Sequence, residues 1–409
     1  MRPAQYAAAA LLGVVMVIAF AVNVHAQSNS TVDFATERAK ATTLLKAGKY
    51  LEALPLYEEL FQQQPNDTVA LEGLAACLLA HAATLSDQEA AGKDRIRAKG
   101  LVDKAVQLGD HSQLAENLAD ILNNLPADGT LKFGDKAEAD AAMKAGEAAF
   151  AKRDFDEAIK NYSHALELDP TSYEAALFVG DSYFAAKNFP QAGEWYTRAS
   201  QINPNRETAY RYHADMLTKQ GDFDAARTLG LEAIVAEPYN PITWRALVAW
   251  SNASKVPLHR VRVETGGNAS TTADSHISIT LDPNQPKGLE SVWLGYSMER
   301  ALWQGDKFKK EFPKETQYRH SLAEEADALT SAAKVAEELK GQADKDAIAK
   351  DANVQLLLRL YHANMIDPYV LLNAADQGIS QDYEAYRAAN RAKLAKYLGD
   401  FVAPEPAKK

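Results

Sequence analysis

His320 and Glu324 stand four residues apart in YRHSLAEEADAL, so on a helix they share one face, with Glu325 beside them. A histidine among carboxylates is the chemistry of metal ligation or proton transfer. Tyr318, His362 and Asp367 are the side chains that could join them in space. The spacing goes no further. There is no His-Glu-x-x-His, no pair of Glu-x-x-His units and no Gly-x-Ser-x-Gly, so neither a zincin, a di-iron bundle nor a nucleophile elbow is marked. No residue is assigned as catalytic and no cofactor is expected. His320, Glu324 and His362 remain as metal candidates against a plainer reading, a polar cluster bonded inside a helical domain. TGGNASTTAD (265–274) lacks the Gly-Lys-Ser/Thr ending of a phosphate loop and a following helix. Cys77 is the sole cysteine and lies in the apolar run LEGLAACLLAHA, so it reads as a small buried hydrophobe.

The elements that must hold such side chains follow a ruler. Pro170, Pro204 and Pro238 are spaced 34 residues apart. Aligned on them, a small residue recurs at Gly146, Gly180 and Ala214, and an aromatic at Phe155, Phe189 and Phe223. Alanine recurs at Ala158, Ala192 and Ala226, and again at Ala165, Ala199 and Ala233. Small residues let two antiparallel helices approach to about 8–10 Å, and a proline that cannot continue a helix ends each unit at the same place. Each helix pair leaves a face that only a neighbouring pair can cover. A fainter copy lies upstream in KAGKYLEALPLYEELFQQQP, with Gly48, Tyr50, Ala53, Tyr57 and Pro65 in matching places. The next unit carries an insertion, ATLSDQEAAGKDR, and a lone helix, SQLAENLADILNNL, follows it.

This pattern resembles the tetratricopeptide repeat family of exported bacterial type. The resemblance implies an α-solenoid of helix pairs whose concave face is lined by fixed positions of each first helix. Here those positions are Asp140, Met143, Glu147 and Phe150, then Glu174, Leu177, Asp181 and Phe184, then Thr208, Arg211, Asp215 and Lys219. The Lys and Asn of the family's carboxylate clamp are absent from them. Acidic and aromatic side chains dominate the first two units, which suits a protein or peptide partner carrying basic and apolar residues. One departure concerns the turn inside each pair. Gly221 supplies a flexible residue there, whereas Arg153 and Lys187 occupy the matching places.

The ruler stops after PITWRALVAWSN. Val261 and Val263 alternate with polar residues in HRVRVET, and Ile277, Ile279 and Leu281 do so in HISITLD. Two period-two runs around a Gly-rich loop predict a β-hairpin over 259–282, expected to lay its apolar face on the last repeat helix. Helical patterns then resume. Trp293, Tyr296 and Trp303 read as core rather than a ligand cage. The expected class is mainly α. The expected domains are N-terminal repeats at 34–125, three repeats plus a terminal helix at 136–252, a mostly helical domain with the hairpin at 256–403, and a disordered tail at 404–409. PADGTLKFGDK (126–136) reads as the linker between the repeat blocks. No known family is assigned to the C-terminal half.

Bulk properties narrow the role. The chain has 409 residues and a formal net charge of −11, which argues against a nucleic-acid partner. Arg2, the apolar run Ala7–Val22 and the small residues Val24 and Ala26 predict a signal peptide over 1–26 and an exported, periplasmic or secreted protein without a membrane span after cleavage. An uncleaved N-terminal anchor is the alternative. One thiol closes no internal disulfide, so packing must supply stability. The functional expectation is a non-catalytic scaffold of the cell envelope that binds a protein or peptide in its groove. The alternatives are an enzyme, hydrolytic or metal-dependent, with its site in 256–403, and a self-assembling structural protein. The sequence leaves the oligomeric state open.

Overall fold

The computed structural model describes residues 29–110, 112–123, 125–271, 276–285, 288–340 and 345–405. The signal segment 1–26 therefore lies outside the described residues, as does the tail from 406. The chain divides into two compact units, 1–204 and 205–409, so the boundary falls after the second of the three 34-residue repeats.

The first unit is a row of helix pairs. These are α1 (Asn29–Lys46) with α2 (Tyr50–Gln63), α3 (Thr68–Thr84) with α4 (Gln88–Gln107), α6 (Ala137–Ala151) with α7 (Phe155–Leu168), and α8 (Tyr173–Ala185) with α9 (Phe189–Ile202). The lone helix α5 (Gln113–Leu122) packs on α3 and α4, and α6 packs directly on α3. Helix starts are set by short polar caps. Asp67 Oδ1 accepts from Ala70 N at 2.8 Å, Asp154 from Glu157 N at 3.2 Å, and Ser172 Oγ from Ala175 N at 3.2 Å. In three of the four pairs the turn takes one backbone conformation, while the α3–α4 turn passes through Leu85 at φ −84°. Gly48 (φ 69°), Arg153 (φ 63°) and Lys187 (φ 64°) are all left-handed, although only glycine adopts that region without cost. Cys77 is buried in α3.

The second unit begins with the third repeat, α10 (Thr208–Gln220) and α11 (Phe223–Ala236), and α12 (Pro241–Ser254) covers both. Strands β1 (Gly267–Thr271) and β2 (Ile277–Leu281) follow, then α13 (Glu290–Leu302), a π turn over Trp303–Lys307, and α14 (Phe308–Glu311). The remaining helices are α15 (Leu322–Leu339), α16 (Lys345–Lys350), α17 (Ala352–His362), α18 (Ile366–Tyr369) and α19 (Tyr383–Tyr397). One apolar core runs from Leu231, Ile234 and Trp250 of the repeat to Trp293, Leu329, Leu357 and Tyr397. The third repeat and the C-terminal helices thus share a core. Side chains of α19 close the C-terminal end of α11, whose last carbonyls have no partner within their own helix. Tyr383 Oη donates to Val235 O at 2.7 Å, Arg387 to Ala236 O, and Arg391 Nε to Glu232 Oε2 at 2.9 Å.

The hairpin exists but not with the expected first strand. β1 is the Gly-rich stretch 267–271, antiparallel to β2 with Ala269 opposite Ile279. HRVRVET belongs to no strand ladder. Val261 and Val263 enter the core while Val263 N donates to the Tyr369 hydroxyl at 2.9 Å and His259 N to Val402 O at 2.8 Å. Docking against the C-terminal helices, not strand pairing, produces its period of two. The hairpin packs on α13, with Gly267 against Ser297 and Trp293, rather than serving as the lid of the last repeat helix. Ile277 and Ile279 stay 40% exposed, because α13 covers only part of a two-stranded ribbon. The end of the repeat array is covered instead by α12 and α19, both of which pack on α11.

Candidate functional site

In the first unit the positions expected to line an inner wall lie on α6 and α8, the first helices of two pairs. Met143, Glu147 and Phe150 of α6 are buried, as are Glu174, Leu177 and Asp181 of α8, while Asp140 and Phe184 are half-buried. A repeated device explains the two acids at the centre. Tyr162 Oη donates to Glu147 Oε1 at 2.6 Å, and 34 residues on Tyr196 Oη donates to Asp181 Oδ1 at 2.8 Å. Each ring packs against a glycine of the facing helix. A Cβ on Gly146 would stand 2.4 Å from the Tyr162 ring, and one on Gly180 2.8 Å from the Tyr196 ring. The glycine column therefore admits a tyrosine, and the tyrosine hydroxyl meets the acid one residue beyond the glycine. In the third repeat the sizes are exchanged. Ala214 stands where the glycine was and Gly230 where the tyrosine was, so Asp215 lacks this donor. Burial raises the Asp215 carboxyl, with Arg211 and Lys219 opposing it. Arg211 itself is held by Glu207, with Nε–Oε2 at 2.7 Å and Nη2–Oε1 at 3.0 Å.

These acids were expected to face a basic partner. Two of them instead satisfy tyrosines of their own fold, so the wall gives no support to a preference for Lys or Arg. Burial pushes the Glu147 carboxyl up to about 7, against the Tyr162 hydrogen bond, with Asp181 raising it further and Arg95 lowering it.

Part of this wall is already covered. The segment expected to be a plain linker turns at Gly129, whose N–H donates to Pro126 O at 2.9 Å, and is braced by Asp128 Oδ1 accepting from Thr130 N at 3.0 Å. Gly129 has φ 70°, and a Cβ there would stand 2.4 Å from Gly92 O, so the turn lies backbone to backbone on α4. Beyond it Leu131 and Phe133 are buried. Phe133 meets the Phe178 ring edge-on at 6.3 Å, and its N–H donates to Asp140 Oδ1 at 2.7 Å. Beside this strap an open cleft of about 240 Å³ remains, lined by Leu79, Ala82, Leu131, Phe133 and Ala148 together with Arg95, Lys144 and Glu147. Arg95 is 4% exposed and donates through Nη1 to Gly129 O at 2.9 Å. Lys144 pairs with Asp140 at 2.8 Å.

The histidine and acid cluster of the second unit assembles in part. His320 Nε2 lies 3.0 Å from Glu325 Oε2 and its Nδ1 2.8 Å from Asp376 Oδ2. Arg300 Nε donates to Glu324 Oε1 at 2.7 Å, and the Tyr318 and Tyr296 hydroxyls donate to Glu324 at 2.8 Å and Glu325 at 2.9 Å. Burial pulls the His320 imidazole down, but Glu325 and Asp376 outweigh it and hold the ring above its ordinary value. His362 goes elsewhere, to Glu337 at 2.8 Å, and Asp367 pairs with Tyr386 at 3.2 Å. The expected grouping of His362 and Asp367 with His320 is therefore not formed, because α17 and α18 point these side chains at other neighbours. Among the described residues no three His, Cys, Asp or Glu side chains group as metal ligands. The cluster ties α13, α15 and the 376–382 turn together. Trp293, Tyr296 and Trp303 are buried core, as expected.

Sequence reasoning missed Arg95, the strap residues Leu131 and Phe133, and Asp376. The tyrosine column at 162 and 196 carried a readable 34-residue signal, whereas Arg95 lies in the irregular pair and carried none. No described helix is long and apolar enough to cross a membrane.

The family model described as tetratricopeptide repeat matches residues 38–94 and 143–207. No curated protein matched the chain. Among solved structures, a fragment of MamA from Desulfovibrio magneticus RS-1 is 15% identical, covering 51% of this chain and 96% of that one, with a TM-score of 0.24. YrrB, described as a TPR protein with an unusual peptide-binding site, is 14% identical, covering 52% and 90%, with a TM-score of 0.26. The TPR2AB domain of yeast Sti1, in complex with pHSP90, is 17% identical, covering 55% and 99%, with a TM-score of 0.28.

Proposed function

We propose that the helix pairs, two stretches of which (38–94 and 143–207) match the tetratricopeptide repeat model, form a non-catalytic scaffold that holds a segment of a partner protein on the inner wall of the first unit. The observation that carries this reading is the open cleft beside the strap, where apolar side chains of α3, α6 and the 126–135 segment surround a few polar groups. Repeat arrays offer such concave surfaces for extended partners, and binding there needs no change in the fold. The sequence of residues 1–26 supports a place in the cell envelope, which N-terminal sequencing of the mature protein tests directly.

A photo-crosslinking amino acid at Lys144, on the cleft, is compared with one at Glu194, exposed on α9. In envelope extract the first position should capture a discrete partner and the second should not. Equal labelling at both positions, or none at 144, rejects the reading.

A further inference from the structure

We propose that Arg95 receives a carboxylate of the bound partner, so that the segment held in the cleft carries a single negative charge next to an apolar side chain. The inference rests on the scaffold reading and specifies the chemistry of its site.

A guanidinium has five N–H donors in a fixed fork. Arg95 commits one of them, to Gly129 O at 2.9 Å, and makes no ion pair among the described residues. Arg211, the other arginine buried to this degree, is held in a two-point pair by Glu207. A buried cation without a carboxylate is costly, and an arriving anion offsets that cost. Asp94, close enough to act on Arg95 through its field, is engaged by His81 Nδ1 at 2.6 Å. Glu147, the other acid acting on Arg95, accepts from Tyr162, and its raised carboxyl carries only part of a charge at neutral pH.

Geometry and charge then select the ligand. Leu79, Ala82, Leu131, Phe133 and Ala148 give the cleft apolar walls. Lys144 is already matched by Asp140, so the site offers one unspent cationic group. With Asp140 already balanced by Lys144, Arg95 is the one charge left to neutralise; a monoanion does so, whereas the second charge of a dianion such as phosphate is left unmatched beside the part charge of Glu147. A carboxylate matches the planar fork of the guanidinium. It can come from an acidic side chain or from a chain terminus.

The test uses the full chain with 3-phenylpropionate and its amide as probes, followed by NMR or calorimetry. The acid should bind about tenfold or more tightly than the amide, the difference expected for a charge-assisted contact. Arg95→Gln should abolish the preference, and Arg95→Lys should keep part of it. Lys160→Gln, at an exposed lysine of α7 outside the cleft, should leave it unchanged. Hydrogen exchange of α4 confirms that each variant is folded. Acetyl-Phe-Glu-amide and acetyl-Phe-Gln with a free terminus then separate side-chain from terminal carboxylates. Equal binding of acid and amide, no binding of the acid, or an unchanged preference in folded Arg95→Gln overturns the proposal. The crosslink at position 144 is scored in parallel. If it persists while acid and amide are equivalent, the carboxylate fails and the scaffold stands; if it is absent from the wild type, the scaffold fails.

Discussion

Glu147 gives the sharpest physical test. Its side chain is 5% exposed and its carboxyl, ordinarily near 4.5, is raised to about 7 by burial. The protonated form is favoured in the folded chain, so the folded state binds more protons than the unfolded one between these two values. Stability is then full below about 4.5 and falls as pH rises through about 7. At about 1.4 kcal/mol per pH unit, the loss amounts to ~3 kcal/mol. Glu147→Gln removes the titration while leaving a carbonyl to accept from Tyr162. The variant should equal or fall slightly below the wild type at pH 5 and surpass it at pH 8. Hydrogen exchange read on peptides from α6 and α7 is the assay, since the variant-to-wild-type ratio cancels the intrinsic exchange chemistry. A change of ~3 kcal/mol in that ratio corresponds to about a hundredfold in protection. Asp181, Arg95 and Tyr162 face the same carboxyl and are unaltered in both proteins. A ratio that stays constant within about threefold between the two pH values refutes the account of a buried, proton-sharing acid.

Further outcomes are expected from packing and backbone. Ala192 is fully buried and its carbonyl stands 3.5 Å from where a Gly180 Cβ would lie, so Ala192→Leu should overpack that crossing and lower stability by ~1–3 kcal/mol in a urea melt. Lys187 holds φ 64°, and Lys187→Gly should raise the melting temperature, corresponding to about 0.5–1 kcal/mol. Phe133→Ala should cost ~3 kcal/mol by emptying the space beside Phe178, and should speed proteolysis within 126–135. Tyr383→Phe should cost ~1 kcal/mol by leaving Val235 O without its donor, read as faster exchange at the end of α11.

The repeats were readable because their constraints are local and periodic. Gly146 and Gly180, Ala158 and Ala192, and the prolines at 170, 204 and 238 each answer a demand of one helix pair or its junction, and the demand recurs every 34 residues. The left-handed turn was harder to read. Arg153 and Lys187 look like departures, yet both adopt the conformation of Gly48, because the pair geometry overrides the residue's own preference. In HRVRVET the period of two was real, and Val261 and Val263 are buried, but strand pairing lay elsewhere. Alternation reports one covered face and not what covers it.

Composition and spacing alone decided that the chain is helical, that it repeats, and where the three 34-residue pairs fall. Those properties depend on contacts between residues close in sequence, which a periodic pattern records. Only the folded chain decided that Leu131 and Phe133 strap the wall, that α19 closes α11, and that Arg95 lies inside on the Gly129 carbonyl without an ion pair. Each of these depends on groups far apart along the chain meeting in a space where water is excluded. Burial, not residue type, then sets which charge is matched and which still seeks a partner.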